Sequence, residues 1–176
     1  MINKSGFTII EVIVVLVILG ILLSIAGISG NAMLKKYRVE TQMKQMFVEL
    51  MNARVSAMQR NRTYFAVFNP TPTATQYTIY EDTSPAPDGN GTLETAADRQ
   101  VLRKILNSNY ALTIPGVAST SINFDTRGLA SMLPGPMGTQ QTVRVNGSFG
   151  AAYDCIVISL TRIRMGAWNG ATCVVQ

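Results

Sequence analysis

The sequence contains no histidine, and this absence removes the commonest general base and the commonest metal ligand in enzymes. It also contains neither a Gly-Lys-Ser/Thr phosphate-binding loop nor a Gly-x-Ser-x-Gly nucleophile elbow. Asp125 and Asp154 are isolated acids, and turn or capping roles explain both. We therefore predict that the chain is not an enzyme, has no catalytic residue and uses no cofactor.

Metal ligands and thiols are equally scarce. The only cysteines are Cys155 and Cys173, and two thiols without a histidine make half a zinc site. The acids Glu81, Asp82 and Asp88 lie close in sequence, but their spacing fits no calcium-binding loop. The sequence therefore predicts no metal site. In an oxidising compartment the two cysteines are expected to form a disulfide that closes a loop of about 17 residues and contributes roughly 3 kcal/mol.

Charge is absent from a long stretch near the N-terminus. No charged residue lies between Glu11 and Lys35, and within 12–28 the only polar side chain is Ser24. About 20 apolar residues at 1.5 Å each span the ~30 Å hydrocarbon core of a bilayer. The sequence therefore predicts that this segment lies in a membrane, or in a protein environment that replaces one.

Proline is absent from residues 7–62, so nothing in this range breaks a helix. We predict one helix of about 50 residues, roughly 80 Å long. Its second half is amphipathic, because apolar residues recur at steps of three and four while charged residues occupy the other faces. These apolar residues are Leu34, Tyr37, Met43, Met46, Phe47, Leu50, Met51, Ala53, Ala57 and Met58. We interpret the methionines as core residues rather than as an adaptable binding surface.

From residue 64 onward, short segments have the composition of β-strands separated by turns. The predicted strands are 64–68, 76–80, 101–106, 110–114, 121–124, 129–133, 141–145 and 155–161, and 162–165 either extends the last one or begins a hairpin. We expect the polar loop at 81–99 to be mobile. The predicted fold class is therefore α+β, with a long N-terminal α-helix packed on a C-terminal antiparallel β-domain of one sheet or two small sheets.

The residues just before the apolar run form a short pattern of Lys4, Gly6, Phe7 and, four residues further on, Glu11. This pattern resembles the signal of type IV prepilins, a family that includes type IV pilins and the pseudopilins of type II secretion. The resemblance implies that a membrane prepilin peptidase cuts between Gly6 and Phe7, and that the new amine on Phe7 is N-methylated. A residue without a side chain leaves that peptide bond open to a protease. The ammonium on Phe7 is then a counter-charge for Glu11 of a neighbouring subunit, which makes Glu11 a docking charge.

Alternatives remain open for this segment. An unpaired carboxylate in a bilayer costs about 2.5–3.5 kcal/mol, which indicates that Glu11 has a partner. The alternative is that Glu11 lies close enough to the interface to stay hydrated. A plain signal-anchored periplasmic protein would carry a similar apolar segment. The flanking charges conflict, because Lys4 precedes the segment while Lys35, Lys36 and Arg38 follow it. We expect the N-terminus in the cytoplasm, since the cleavage signal and the cysteine pair both require it.

These inferences divide the chain into a prepilin leader peptide at 1–6, a transmembrane or filament-core helix at 7–30, an amphipathic continuation at 31–62 and a β-rich periplasmic domain at 63–176. Residues 49–54, 124–128 and 156–165 resemble the H-type minor pseudopilins and their minor-pilin relatives. The resemblance implies a structural subunit, anchored in the bacterial inner membrane by one helix, that primes or caps assembly of a type II secretion pseudopilus or a type IV pilus. The implied partners are other pilin or pseudopilin subunits, the prepilin peptidase and the inner-membrane assembly platform.

A second function remains open, that of a nucleic-acid-binding subunit at a pilus tip. Arg162, Arg164 and Trp168 lie close together in the sequence, with Arg144 as a further candidate. Arginine beside an aromatic residue suits phosphate contact and base stacking. Ordinary strand alternation also explains the two neighbouring arginines, with both facing solvent while Ile163 and Met165 face the core. We favour this simpler interpretation.

Overall fold

The structure is a computed structural model that describes residues 6, 8–69, 73–115, 121–133 and 140–176, without the side chains of 25–30 and 132–133. Its first element is a single helix, α1 (Ile9–Arg60), of 52 residues, which is about 78 Å long. The side chain of Thr8 caps its first turn. The helix ends at Asn61, whose left-handed backbone is typical of a residue that stops a helix.

Only the second half of α1 packs on the β-domain. The buried residues of this half lie at steps of three and four along one stripe, which is the face of an amphipathic helix. They are Val39, Met43, Met46, Leu50, Ala53 and Ala57. Met43 and Met46 are core residues, whereas Leu34, Tyr37 and Met58 are exposed. The buried stripe therefore lies where the sequence predicts it, but some of the apolar residues predicted to belong to it are exposed.

The remaining described elements are strands and one short 3-10 turn. The strands are β1 (Tyr64–Asn69), β2 (Thr73–Ala74), β3 (Gln76–Glu81), β4 (Arg99–Ile105), β5 (Leu112–Thr113), β6 (Ser121–Phe124), β7 (Ala130–Leu133), β8 (Gln141–Val145), β9 (Cys155–Ile158), β10 (Ile163–Trp168) and β11 (Cys173–Val175). They form a five-stranded sheet in the order β4-β3-β1-β6-β7 and a six-stranded sheet in the order β11-β10-β9-β8-β5-β2. Their pairings are antiparallel. The predicted α+β class is confirmed, with two sheets rather than one.

The core lies between α1 and the inner faces of both sheets. The helix contacts β1 and β6 of the first sheet and β9 and β10 of the second. The first sheet contributes Tyr64, Ala66, Phe68, Tyr77, Ile79, Ile122 and Phe124. The second sheet contributes Leu112, Val143, Val145, Ile156, Ile158 and Ile163. Because one helix face joins both sheets, the two halves of the β-domain share a single core.

The predicted turn at 125–128 connects β6 to β7 and contacts the helix. The Asp125 side chain accepts hydrogen bonds from the backbone N–H groups of Arg127 (2.9 Å) and Leu129 (2.8 Å). Gly128 has a φ of +74°, which favours glycine. Its carbonyl oxygen accepts a 2.7 Å hydrogen bond from Nε of Arg54 in α1. Asp125 therefore has the turn role that its isolation in the sequence suggests.

Two predicted strands differ from the structure, and two short strands were not predicted. The start of the predicted strand at 110–114 is wrong, because Ser108–Tyr110 is a 3-10 turn in which the Asn107 side chain accepts a hydrogen bond from the N–H of Asn109. The predicted strand at 155–161 ends early, because the N–H of Ser159 bonds the carbonyl of Arg162 and turns the chain into β10. Residues 162–165 therefore begin a hairpin. The strands β2 and β11 have two and three residues, too few to produce a sequence pattern.

Candidate functional site

The first half of α1 carries most of the exposed large apolar side chains of the described residues. Thirteen Ile, Val and Leu side chains between Ile9 and Leu23 are 47–83 % exposed. Burying one such side chain is worth about 1.5–3 kcal/mol, so this helix gains strongly from any apolar surroundings. Among the side chains that the structure describes, no helical segment is long and apolar enough to cross a membrane.

Glu11 lies in the first turn of this helix and its side chain is exposed. Its backbone N–H donates a 3.3 Å hydrogen bond to Oγ1 of Thr8. A Thr at the cap followed three residues later by Glu is the capping-box pattern, and an acid there also suits the positive end of the helix dipole. The position of Glu11 therefore has a local explanation, in helix capping, in addition to the docking role that the prepilin pattern implies.

The predicted cleavage site lies immediately before the helix. Gly6 is exposed, and a side chain built on it would contact nothing within 4 Å. Lys4 and Phe7 lie outside the described residues. Cleavage between Gly6 and Phe7, and N-methylation of Phe7, therefore stay predictions.

Cys155 and Cys173 form a disulfide that joins β9 to the edge strand β11. Between them in the sheet lies β10, where Gly166 faces β11. A Cβ on Gly166 would lie 2.2 Å from the carbonyl oxygen of Val174, which is far too close for any side chain. The glycine therefore permits β11 to approach, and the disulfide holds it there. The importance of Gly166 was not apparent from the sequence, because a glycine within a strand has several explanations.

Arg162 and Arg164 are both exposed on either side of the buried Ile163. Arg162 precedes β10, whereas Arg164 and Trp168 lie on the same face of it, because side chains four residues apart in a strand point the same way. This face is turned away from α1. Neither arginine side chain forms a hydrogen bond or ion pair with any other described residue. The arrangement follows ordinary strand alternation, as the simpler interpretation requires.

Trp168 is not a free stacking platform. The Arg144 guanidinium lies over its ring, 4.7 Å from the centroid. The backbone N–H of Trp168 donates a 2.6 Å hydrogen bond to the buried carboxylate of Asp154. Burial raises the pKa of the Asp154 carboxyl, and the Trp168 N–H and the Arg144 charge offset this only in part. Asp154 therefore helps to position Trp168 within the sheet.

A cluster of acids lies in the loop between β3 and β4, with a membership different from the one considered in the sequence. Carboxylate oxygens of Asp82, Glu94 and Asp98 lie within 4.8 Å of one another. Asp82 accepts hydrogen bonds from the N–H groups of Asn90 and Gly91. Asp98 accepts three more from the N–H groups of Thr83, Ser84 and Glu94. The two buried aspartates thus fasten the loop that we expected to be mobile, and backbone donors occupy their oxygens.

Glu81 was considered in the sequence only as one acid of a possible calcium site, and its ion-pair role was missed. Its side chain is 1 % exposed and forms ion pairs with Arg60, Arg62 and Arg99. These three arginines come from the end of α1, the following turn and the start of β4. Glu81 therefore links the helix end to the first sheet. The sequence spacing to Arg99 is too long for the pairing to be recognised without the fold.

A long N-terminal helix, uncovered in its first half and packed in its second half on antiparallel sheets, defines a pilin-like α+β protein. The family model of the prokaryotic N-terminal methylation motif matches residues 1–27. Two crystal forms of the type IV minor pilin FimU from Pseudomonas aeruginosa resemble the structure, each with a TM-score of 0.52. One is 14 % identical over 73 % of this chain and 92 % of that chain. The other is 12 % identical over 76 % and 91 %.

A comparison with curated proteins found no significant match. At the identities above, the likeness to FimU concerns the fold. The comparisons therefore show a prepilin-type N-terminal methylation motif and a pilin-like fold.

Proposed function

We propose that this chain is a minor subunit of a type IV pilus or of a type II secretion pseudopilus, where it primes or caps the filament. The observation that carries the proposal is the uncovered apolar half of α1, which lies within the methylation motif at 1–27 and is attached to a pilin-like fold. In a lone chain in water, these apolar side chains stay exposed to solvent, which is unfavourable. Assembly with the helices of other pilin or pseudopilin subunits buries it.

Before assembly, the same surface suits the inner membrane. The apolar run at 12–28 is long enough for one pass through the hydrocarbon core. We place residues 1–6 on the cytoplasmic side, where a prepilin peptidase removes them, and the β-domain at 63–176 in the periplasm. The Cys155–Cys173 disulfide suits that oxidising compartment. The inner-membrane assembly platform then transfers the helix from lipid to filament.

Glu11 has a role at this transfer. Once the leader is removed, the chain begins with the amine of Phe7, and Glu11 of an adjacent subunit is the carboxylate that neutralises it. An unpaired charge among apolar helices is costly, whereas the pair is tolerated. The need to pair this amine with this carboxylate sets the axial position of each incoming subunit. The capping contact of Glu11 with Thr8 uses its backbone N–H, so the carboxylate stays available.

Glu11→Ala is expected to leave the leader cleaved but to lower incorporation into filaments about 100-fold, because an unpaired buried charge costs about 3 kcal/mol. The measurement is the ratio of this chain in sheared filaments to that in membranes, by quantitative immunoblot. Thr8→Ala is the matched control, since it removes the helix cap, worth about 1 kcal/mol, and keeps the carboxylate. Normal filament incorporation of Glu11→Ala would refute the charge-pairing account.

Gly6→Leu is expected to block removal of the leader, because a bulky side chain obstructs the protease at the bond it cleaves. Intact mass of the chain purified from its own host should then show residues 1–6 retained. The wild-type chain should show Phe7 as its first residue, with one added methyl group. Efficient removal of the leader from the variant would reject this cleavage site.

The second candidate function, DNA binding, has in its favour the side chains of the arginines at 162 and 164, which form no hydrogen bond or ion pair with another described residue. Two or three phosphate contacts give weak binding that falls steeply with salt. If these residues bind DNA, Arg162→Ala/Arg164→Ala should abolish the retardation of DNA by the full chain at low salt. Arg127→Ala, which removes another exposed arginine from a turn, is the control. Equal retardation by wild type and the double variant would exclude this function for these residues.

A further inference from the structure

Two clefts lie end to end along one side of α1, between the helix and the strand β4. One has a volume of about 280 Å³ and is lined by Asn52, Ala53 and Ser56 facing Val101 and Leu102. The other has about 240 Å³ and extends toward the apolar half of the helix. It is lined by Tyr37, Arg38, Thr41, Gln42 and Gln45, and by Lys104, Ile105, Leu106 and Asn107.

The two clefts follow one stripe of the helix, so we describe them as one groove. The helix positions that line them include 38, 41, 45, 49, 52 and 56, a single stripe at steps of three and four. Eighteen helical residues cover about 27 Å. We call this surface, between positions 38–56 of α1 and residues 101–105 of β4, the α1–β4 groove.

The groove carries large apolar side chains that are exposed. Val101 is 48 % exposed and Ile105 is 73 % exposed, and Tyr37 at the near end is 66 % exposed. Large apolar side chains grouped along one cleft, rather than scattered, mark an interaction surface. Among the described residues of the β-domain, no other strand carries two exposed large apolar residues.

The occupant is a helix rather than an added strand. β4 is an edge strand that pairs only with β3, and its pairing is irregular between Ile79 and Tyr80. A bulged edge that carries basic residues resists pairing with another strand. The helix wall offers small or polar side chains at Thr41, Ala53 and Ser56, which permit close approach of a second helix. A partner of about 18 helical residues fills the length of the groove.

The charge of the rim selects the partner. Arg38 and Lys104 line the groove, and Arg103 lies beside it on β4, with its guanidinium donating to Oε1 of Gln76. None of the three forms an ion pair with another described residue. The one acid in the groove, Glu49, accepts hydrogen bonds from the Tyr77 hydroxyl and the Gln45 amide. A second copy of this chain, with its net charge of +5, is therefore a poor occupant.

We propose that the α1–β4 groove binds an amphipathic helix of a different pilin-class subunit, whose apolar face fills the groove and whose acidic flank pairs with Arg38 and Lys104. This inference rests on the proposed function, because it assumes that the chain meets other subunits. It adds the chemistry of the partner and the surface that recognises it. The mode is that of a helix laid in a hydrophobic groove, with rim charges that set the choice of partner.

The test is site-specific photo-crosslinking of the full chain in the cells that make it. The photoreactive residue p-benzoylphenylalanine is placed at Ile105 in one variant and at Leu16 in another. We expect Ile105 to crosslink to a helical peptide of another pilin-class chain, with several Asp or Glu residues on one flank, as identified by mass spectrometry. Leu16 reports contact between apolar helices in general.

Reversing the two positive charges at the rim tests whether crosslinking depends on the groove itself. Arg38→Glu/Lys104→Glu is expected to lower the crosslinking yield at Ile105 at least about tenfold and to leave the yield at Leu16 unchanged. The matched control, Arg162→Glu/Arg164→Glu, makes the same change of charge on the second sheet and should alter neither yield.

Several outcomes would overturn the inference. If Leu16 crosslinks to other subunits while Ile105 crosslinks to a second copy of this chain, to lipid, to a non-helical segment or to nothing, the groove has a different role and the proposed function stands. A crosslink at Ile105 that survives the charge reversal would reject the acidic partner. If neither position reaches another subunit, the proposed function fails, and the inference fails with it.

Discussion

Replacing Glu81 with glutamine is expected to lower the free energy of unfolding by about 2–3 kcal/mol. The Glu81 side chain is 1 % exposed and lies 3.6 Å from Nη1 of Arg60 and 3.3 Å from Nη1 of Arg62. It also accepts a hydrogen bond from Arg99. Without the carboxylate, three positive charges converge on a neutral amide. The loss stays below the about 3–5 kcal/mol of a fully buried pair, because Arg60 and Arg99 are half exposed and remain hydrated.

This change corresponds to a fall of about 5–10 °C in Tm for a chain of this size, measured by near-UV circular dichroism of the full chain in detergent. The control is Arg127→Gln, which removes the exposed ion pair of Arg127 with Asp125. A surface pair is worth about 0–1 kcal/mol, so that variant should unfold close to wild type. Equal Tm values for wild type and Glu81→Gln would show that Glu81 does not hold the helix end on the sheet.

The contribution of Glu81 to stability is expected to depend on pH. Burial favours the protonated form of Glu81, but the hydrogen bond and charge of Arg99, together with the charge of Arg60, outweigh it and hold the pKa below its ordinary value of 4.5. A lowered pKa means that Glu81 stabilises the fold fully above about pH 4.5 and loses this contribution as the pH falls through the lower, folded-state pKa. The stability difference between wild type and Glu81→Gln should therefore shrink in acid. Asp82 and Asp154, whose pKa values burial raises, have the opposite effect and are present in both proteins.

Cys155→Ala/Cys173→Ala is expected to destabilise the chain by about 3 kcal/mol and to release β11 from the second sheet. The disulfide closes a sequence separation of 18 residues. The strand β11 has only three residues and pairs with β10 alone, so few other interactions retain it. The measurement is Tm together with hydrogen exchange, which should rise at 173–175 and stay unchanged in β8.

Reduction provides the control. A reducing agent should lower the Tm of the wild type to that of the double variant and should leave the double variant unaffected. A second comparison uses Gly166→Ala, whose added Cβ clashes with the carbonyl of Val174 while the disulfide is retained. This variant should also loosen β11. If β11 stays protected from exchange without the disulfide, backbone pairing alone holds it.

Local patterns predicted much of the fold. The absence of proline and the repeat of apolar residues locate α1 to within two residues at each end, and the stripe of Met43, Met46 and Leu50 is its core face. Most strands of four or more residues lie where the sequence indicates them. Short strands escape detection, because β2 and β11 contain too few residues to show a period. The start of the predicted strand at 110–114 is wrong, since the local cap by Asn107 outweighs β-propensity there.

The sequence by itself determined the apolar N-terminal helix, its prepilin-type signal and the amphipathic stripe that receives the β-domain, because each depends on the order of neighbouring residues along one element. Only the tertiary structure decided that Glu81 meets three arginines, that Gly166 makes room for β11 and that β4 forms a groove with α1. These contacts join residues far apart in the chain, and their distances depend on how the two sheets pack around the helix. Composition and periodicity carry no information about such distances, because they describe one element at a time.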